Sequence, residues 1–334
     1  MLPTFSYVKP TSIGEAIREL STPGARVHAG GTDLLGCLRD RVLTASKLVS
    51  LNGLGELRGV SELPNGGLRI GALTTLAELA AHPLVQRRFH ALSAAAGAAA
   101  SPQLRHQGTI GGNLCQRPRC WYYRGDFACA RKGGDTCFAK EGENQLHAIL
   151  GGDVCVMVHP SDTAPALMAL DASVRLVGPG GSRTVTLDAF FVPPAKDHTR
   201  ETVVEPNELL TEILLPPPPA GAASTYRKLR ARGAWDFALA GAAVVLGLNG
   251  KQITQARVVL SGVAPIPWRA PAVEKELIGH ELTDGFIERA AQKAGVGAAP
   301  LSDNAYKVAL ARGAVMEALS ELRAEVDGRS GVRR

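Results

Sequence analysis

Long apolar runs are missing from this sequence: none approaches the ~18 residues that a membrane-crossing helix needs. No membrane span is expected. The opening MLPTFSYVKP has no charged segment followed by an apolar core, so the chain is expected to carry no signal peptide of its own. The compartment stays open: the cytoplasm is expected, unless a partner bearing the signal exports the folded complex to the periplasm. Structural disulfides need an oxidising compartment, so its cysteines are expected to bind metal or do redox chemistry. Aromatic residues are scarce at 5%. Lysine and arginine outnumber acidic residues by 37 to 31, but they are scattered except at Arg227–Arg232 and Arg329–Arg334. A nucleic-acid binder concentrates its charge in a stripe interleaved with stacking rings, so no nucleic-acid partner is expected. Also absent are a GxGxxG after a strand, a Walker sequence, and any Ser-His-Asp or Cys-His constellation. A nicotinamide Rossmann domain and a nucleophilic hydrolase therefore lack support.

What is present is glycine, 37 residues of it, and six cysteines. The 334 residues suffice for two or three domains with real cores. Ser12-x-x-Glu15 and Thr75-x-x-Glu78 are helix-start signatures. Asn65-Gly66-Gly67 and Asn249-Gly250 are hairpin signals. A helical region is expected from Thr75 to about Ala100, and strands at Val154–Val158 and Leu209–Leu215. Pro216–Pro219 punctuates the chain, which divides it into residues 1–218, a small α+β domain over 223–325, and a disordered tail at 326–334. Two glycine turns stand about eighty residues apart: Ala29-Gly30-Gly31-Thr32-Asp33 after a short strand, and Gly108-Thr109-Ile110-Gly111-Gly112-Asn113. Glycine lets backbone amides approach an anion closely. One such turn is commonplace, whereas two make a two-sided clamp for a pyrophosphate.

Directly after the second turn come Cys115, Cys120, Cys129, Cys137 and Cys155, while Cys37 stands apart on a helix. The gaps are C-x4-C, C-x8-C, C-x7-C and C-x17-C. Structural zinc sites favour paired short knuckles, and only the first gap comes near that. An irregular loop of thiolates suits an iron–sulfur cluster at least as well. From spacing alone, iron–sulfur, zinc and unrelated thiols all stay open. Trp121, Tyr122, Tyr123 and Phe127 would shield a cluster from water.

Taken together, Ala29-Gly30-Gly31-Thr32-Asp33-Leu34, Ile70-Gly71-Ala72-Leu73-Thr74, Gly108–Leu114 and His159-Pro160-Ser161-Asp162 resemble the FAD-binding medium subunit of the molybdenum hydroxylase (xanthine dehydrogenase) superfamily. The likeness runs along nearly the whole chain. It includes Tyr226-Arg227-Lys228 and Asp303–Lys307, which look like that family's C-terminal flavoprotein domain. The cysteine insert is similar to the branch containing periplasmic aldehyde oxidoreductase, whose flavin subunit holds an extra 4Fe–4S cluster.

The resemblance implies an α+β chain: a PCMH-type FAD-binding domain of two α/β subdomains, then a small α+β domain. It implies FAD contacts at Arg26, Val27, His28, Ala29, Gly30, Gly31, Thr32, Asp33, Leu34, Leu73, Thr109, Gly112 and Asn113. Asp162 would lie on the adenosine side and Lys228 near the isoalloxazine. Cys120, Cys129, Cys137 and Cys155 would ligate the cluster, leaving Cys115 as a fifth thiol without a task. A molybdenum-cofactor large subunit, a 2Fe–2S small subunit and an external electron acceptor are the implied partners. A free-standing flavin oxidase and a zinc-stabilised scaffold are the alternatives.

Overall fold

The computed structural model describes residues 2–331. Three layers of secondary structure follow in chain order. Strands β1 (Ser6–Val8), β2 (Ala25–His28) and β3 (Lys47–Ser50) form a parallel sheet in the order β1-β3-β2. Parallel neighbours need crossovers, and helices Ile13–Leu20 and Leu34–Arg39 supply them. The first starts where Ser12 Oγ accepts from the Glu15 amide at 3.2 Å. It buries Ala16, Ile17 and Leu20 against Val49, Leu51 and Leu73.

The second layer is an antiparallel sheet of β4 (Val60–Glu62), β5 (Leu68–Gly71), β6 (Ser173–Gly178), β7 (Gly181–Thr186) and β8 (Leu209–Leu215), ordered β4-β5-β8-β6-β7. Helices Leu76–Ala81, His90–Ala98, Ile110–Leu114 and Thr163–Ala169 share its core. Thr75 and Glu78 complete both halves of their capping box. The helical region expected to run to Ala100 is three helices, because Pro83 opens a second and Phe89 leaves helical geometry before a third. Alanines at 91, 95 and 96 are fully buried, and their small size lets the last helix pack close to its neighbours.

The third layer is β9 (Ala223–Leu229), β10 (Ala240–Asn249), β11 (Gln252–Ser261) and β12 (Trp268–Arg269), an antiparallel sheet ordered β12-β11-β10-β9. Both faces of β10 are covered. Ala243 and Val245 join the core of the five-stranded sheet, while Ala242, Val244 and Leu246 face helices Pro271–Leu277, Asp284–Gln292 and Tyr306–Gly331. Alternation along one strand thus joins the C-terminal portion to the rest of the chain.

Two expectations are corrected. Val154–Val158 is not a strand: its backbone is held singly, Val156 O accepting from Ala148 N at 2.9 Å. The tail expected to be disordered from 326 is helical through Gly331, because the final helix carries Leu319, Leu322 and Val326 into the core; residues 332–334 lie outside the described residues. Among the described residues no helix is long and apolar enough to cross a membrane.

Candidate functional site: a two-loop cavity beside a cysteine pocket

The two glycine turns meet. A Cβ on Gly30 would lie 1.8 Å from the Gln107 carbonyl oxygen, so the backbones touch where only hydrogen fits. Gly31 sits at φ +72°, left-handed geometry that favours glycine. In the second turn Thr109 Oγ accepts from Gly112 N at 3.2 Å, which starts helix Ile110–Leu114. Gly111 is pressed on Ala72, where a Cβ would come within 2.9 Å of its methyl.

Between the turns lies a cavity of about 730 Å³, within the size range of small-molecule sites. Val27, Ala29, Gly30, Gly31, Thr32, Asp33, Leu34, Leu73, Thr109, Gly112, Asn113 and Asp162 line it. Arg26, His28 and Lys228 do not. Strand alternation explains the first two: with Val27 facing the cavity, its neighbours turn away. Arg26 Nε donates to Thr44 O at 3.2 Å, and the His28 ring packs edge-on to Tyr7.

Lys228 sits behind the wall. Its Nζ donates to Asp162 Oδ2 at 2.8 Å, and the Tyr226 hydroxyl donates to Oδ1 at 2.7 Å, all three groups being buried. Burial pushes the Asp162 carboxyl up, opposed by Lys228 and Tyr226. The two residues expected at separate parts of a cofactor site thus form one buried ion pair. On the cavity side, Asn113 Oδ1 accepts from Ser161 Oγ and from Thr163 Oγ1 at 2.6 Å, which ties the second turn to helix Thr163–Ala169.

Several residues of the cavity wall were not foreseen. Asp33 Oδ2 accepts from the Arg117 amide at 2.7 Å, and Oδ1 takes the guanidinium groups of Arg124 at 2.8 Å and Arg119 at 3.0 Å. Buried Glu201 then pairs with Arg117 at 2.7 Å and with Arg131. This chain of ion pairs runs from the first glycine turn into the cysteine insert. The nearest sequence signal was Arg117-Pro118-Arg119, caught between the second turn and Cys120. Trp235, Asp236 and Phe237 of the C-terminal portion reach the same cavity. Trp235 N donates to Ala100 O at 3.3 Å, with both residues at positive φ. Nothing local in the sequence announced that reach.

The cysteines separate into groups. Cys120, Cys129, Cys137 and Cys155 line one small pocket with apolar walls from Ala130, Phe138, Ala139 and Met157. Cys115 lines the large cavity instead, and burial pushes its thiol up to about 12. Cys37 is buried near Asp33. Within the small pocket the Cys137 and Cys155 thiols influence each other, Cys155 lowering the Cys137 thiol while Cys137 and burial raise that of Cys155. Burial raises the Cys120 thiol to about 11. Tyr122 makes an aromatic cluster with Phe127 at 5.0 Å and Phe138 at 6.1 Å between ring centroids. Among the described residues, no three or more His, Cys, Asp or Glu converge to hold a single metal ion.

A two-turn cradle of this kind, built from a small parallel sheet and an antiparallel sheet, suits a ligand that carries a pyrophosphate. Comparison with known proteins agrees. The family described as FAD binding domain in molybdopterin dehydrogenase matches residues 3–218, and the CO dehydrogenase flavoprotein C-terminal domain matches residues 199–322. The aldehyde oxidoreductase FAD-binding subunit PaoB of Escherichia coli (strain K12) is 38% identical over 96% of this chain and 99% of its own. The carbon monoxide dehydrogenase medium chain of Hydrogenophaga pseudoflava is 32% identical over 95% of this chain and 96% of its own. A solved structure of carbon monoxide dehydrogenase from Hydrogenophaga pseudoflava, lacking the Mo-pyranopterin moiety, superposes with a TM-score of 0.76 at 32% identity, over 97% of this chain and 99% of that one. The chain belongs to the family of FAD-binding medium subunits of molybdenum hydroxylases, which are oxidoreductase subunits. The α+β architecture expected from the sequence, an FAD-binding domain followed by a small flavoprotein domain, is the one found.

Proposed function

We propose that this chain is the FAD- and 4Fe–4S-carrying electron-transfer subunit of a heteromeric molybdenum hydroxylase that oxidises an aldehyde or an N-heterocycle. Its partners are a molybdenum-cofactor large subunit and a 2Fe–2S small subunit. When bound, FAD supplies the redox chemistry, taking electrons from the 2Fe–2S partner and releasing them to an external acceptor. The chain's own task is placement. The single observation that carries the reading is the contact of two glycine turns around a cavity of about 730 Å³. Backbone amides of Ala29–Asp33 would hold the pyrophosphate, since glycine lets them approach it, while the second turn closes the opposite wall, its amides at Ile110, Gly111, Gly112 and Asn113 donating to Thr74 O, Ala72 O, Thr109 Oγ1 and Thr109 O. Asn113 and the buried Asp162–Lys228 pair would fix the second turn and the C-terminal sheet relative to each other.

What supports the cluster is the gathering of Cys120, Cys129, Cys137 and Cys155 around one apolar pocket. Four thiols lining one pocket suit a cluster whose ligands each bind a different iron. Cys115, on the wall of the other cavity, is outside that set. The aldehyde oxidoreductase relative, matched along nearly the whole length of both chains, favours an aldehyde as substrate of the complex.

The test uses the purified chain alone and in its complex. Alone, with flavin bound, it should leave aldehydes untouched. In complex with its molybdenum and 2Fe–2S partners, adding aldehyde should bleach the flavin absorbance. Substrate oxidation by the isolated chain would mean a free-standing oxidase, and an unbleached flavin in an active complex would remove the flavin from the electron path.

A further inference from the structure

The segment between the last two cysteines of the insert folds back on Cys120. Buried His147 places Nε2 3.2 Å from Cys120 Sγ. Its ring meets Trp121 edge-on at 5.5 Å and is tilted against Tyr122 at 6.2 Å. Nδ1 is buried and makes no well-formed hydrogen bond, the Asn144 carbonyl lying near the ring without good geometry. A neutral imidazole carries one N–H, and the nitrogen with an acceptor in reach is where it belongs. Here that nitrogen is Nε2 and the acceptor is the sulfur.

The ring is also held from behind. The His147 carbonyl accepts from Lys307 Nζ at 3.0 Å and from Asn304 Nδ2 at 3.2 Å. Asn144, three residues earlier, is tied to the same region: its amide donates to Ser302 Oγ at 2.9 Å, and its Oδ1 accepts from Asp303 N at 2.9 Å. The C-terminal portion of the chain thereby fixes the backbone from which the imidazole reaches Cys120.

We propose that His147 is a positioning residue whose Nε2–H donates to the Cys120 thiolate and so raises the reduction potential of the iron–sulfur cluster bound there. This rests on the cluster reading above. Reduction adds negative charge that is shared with the ligating sulfurs. A donor fixed on one of them stabilises the reduced state more than the oxidised one. Cys120 also follows Arg119 in the chain, and Arg119 reaches both Asp33 and the cavity between the turns.

The test is a redox titration of the cluster in the full chain, followed by its visible absorbance and electron paramagnetic resonance, in the wild type, His147→Leu and His147→Gln. Leucine fills space without a donor, whereas glutamine offers an N–H at similar reach. The expected result is a lower midpoint potential in His147→Leu at wild-type iron content, with His147→Gln returning toward the wild-type value. An unchanged potential in His147→Leu, equal shifts in both variants, or loss of iron from His147→Leu would each overturn the tuning role. Failure of the underlying reading is separable, because it appears as a wild-type chain that binds flavin but holds no iron.

Discussion

Replacing Gly30 by alanine tests the cradle at its tightest point. The new methyl would be built 1.8 Å from the Gln107 carbonyl oxygen and 2.7 Å from its carbon, and both are backbone atoms that no rotamer change can move. Contacts of this kind below 3.0 Å essentially never occur, so the two turns must part by roughly an ångström or more. Overpacking of this sort costs about 1–3 kcal/mol. If the strain falls on the form that binds cofactor, FAD affinity drops by about fivefold to about a hundredfold. The assay is a fluorescence-quenching titration of the flavin-free chain with FAD. Gly180→Ala is the control, since nothing lies within 4 Å of a Cβ there. Wild-type affinity in Gly30→Ala would refute the reasoning, because the contact between the turns would then have no bearing on the cofactor.

Three further outcomes follow from the site. Cys129→Ser or Cys137→Ser should abolish the broad iron–sulfur absorbance, whereas Cys115→Ser and Cys37→Ser should keep it, and loss of absorbance in Cys115→Ser would return that thiol to the ligand set. Lys228→Met strands a carboxylate 4% exposed; breaking a buried pair from one side costs about 3–5 kcal/mol, so a clearly lower Tm is expected, and an unchanged Tm would show the pair to be dispensable. Burial holds the Lys307 ammonium at about 7, against an ordinary 10.5 that the unfolded chain regains. Between those values the unfolded chain binds more protons, so this group makes stability rise with pH from about 7 to about 10 by at most ~1.4 kcal/mol per pH unit. Urea denaturation across that range should show a shallower rise in Lys307→Met, and an identical slope would assign the dependence elsewhere.

Much of the site could be read because its determinants are local. A Gly-Gly turn after a short strand, a capping box and a hairpin Asn-Gly each specify backbone geometry within a few residues, and the bend at Gly30 stands where it was expected, whereas Gly111 falls within the short helix Ile110–Leu114. Contacts between distant segments left no such trace. Asp33 gathers Arg117, Arg119 and Arg124, and Glu201 bridges Arg117 to Arg131, yet every one of these arginines reads in sequence as a solvated charge. Trp235 likewise reads as a loop residue until β9 and β10 swing its segment over the cavity. The ion pair between Asp162 and Lys228 left no trace either, because short motifs identify residues without saying which of them touch. Val154–Val158 failed as a strand for a related reason: Cys155, Val156 and Met157 are buried in succession, but no neighbouring strand completes a ladder.

The most direct single measurement is the cofactor content of the purified full chain: flavin by its visible spectrum, iron, zinc and acid-labile sulfide by elemental and chemical analysis of the same sample. One flavin with about four irons and matching sulfide per chain is the expected result. Stoichiometric zinc without flavin would contradict it.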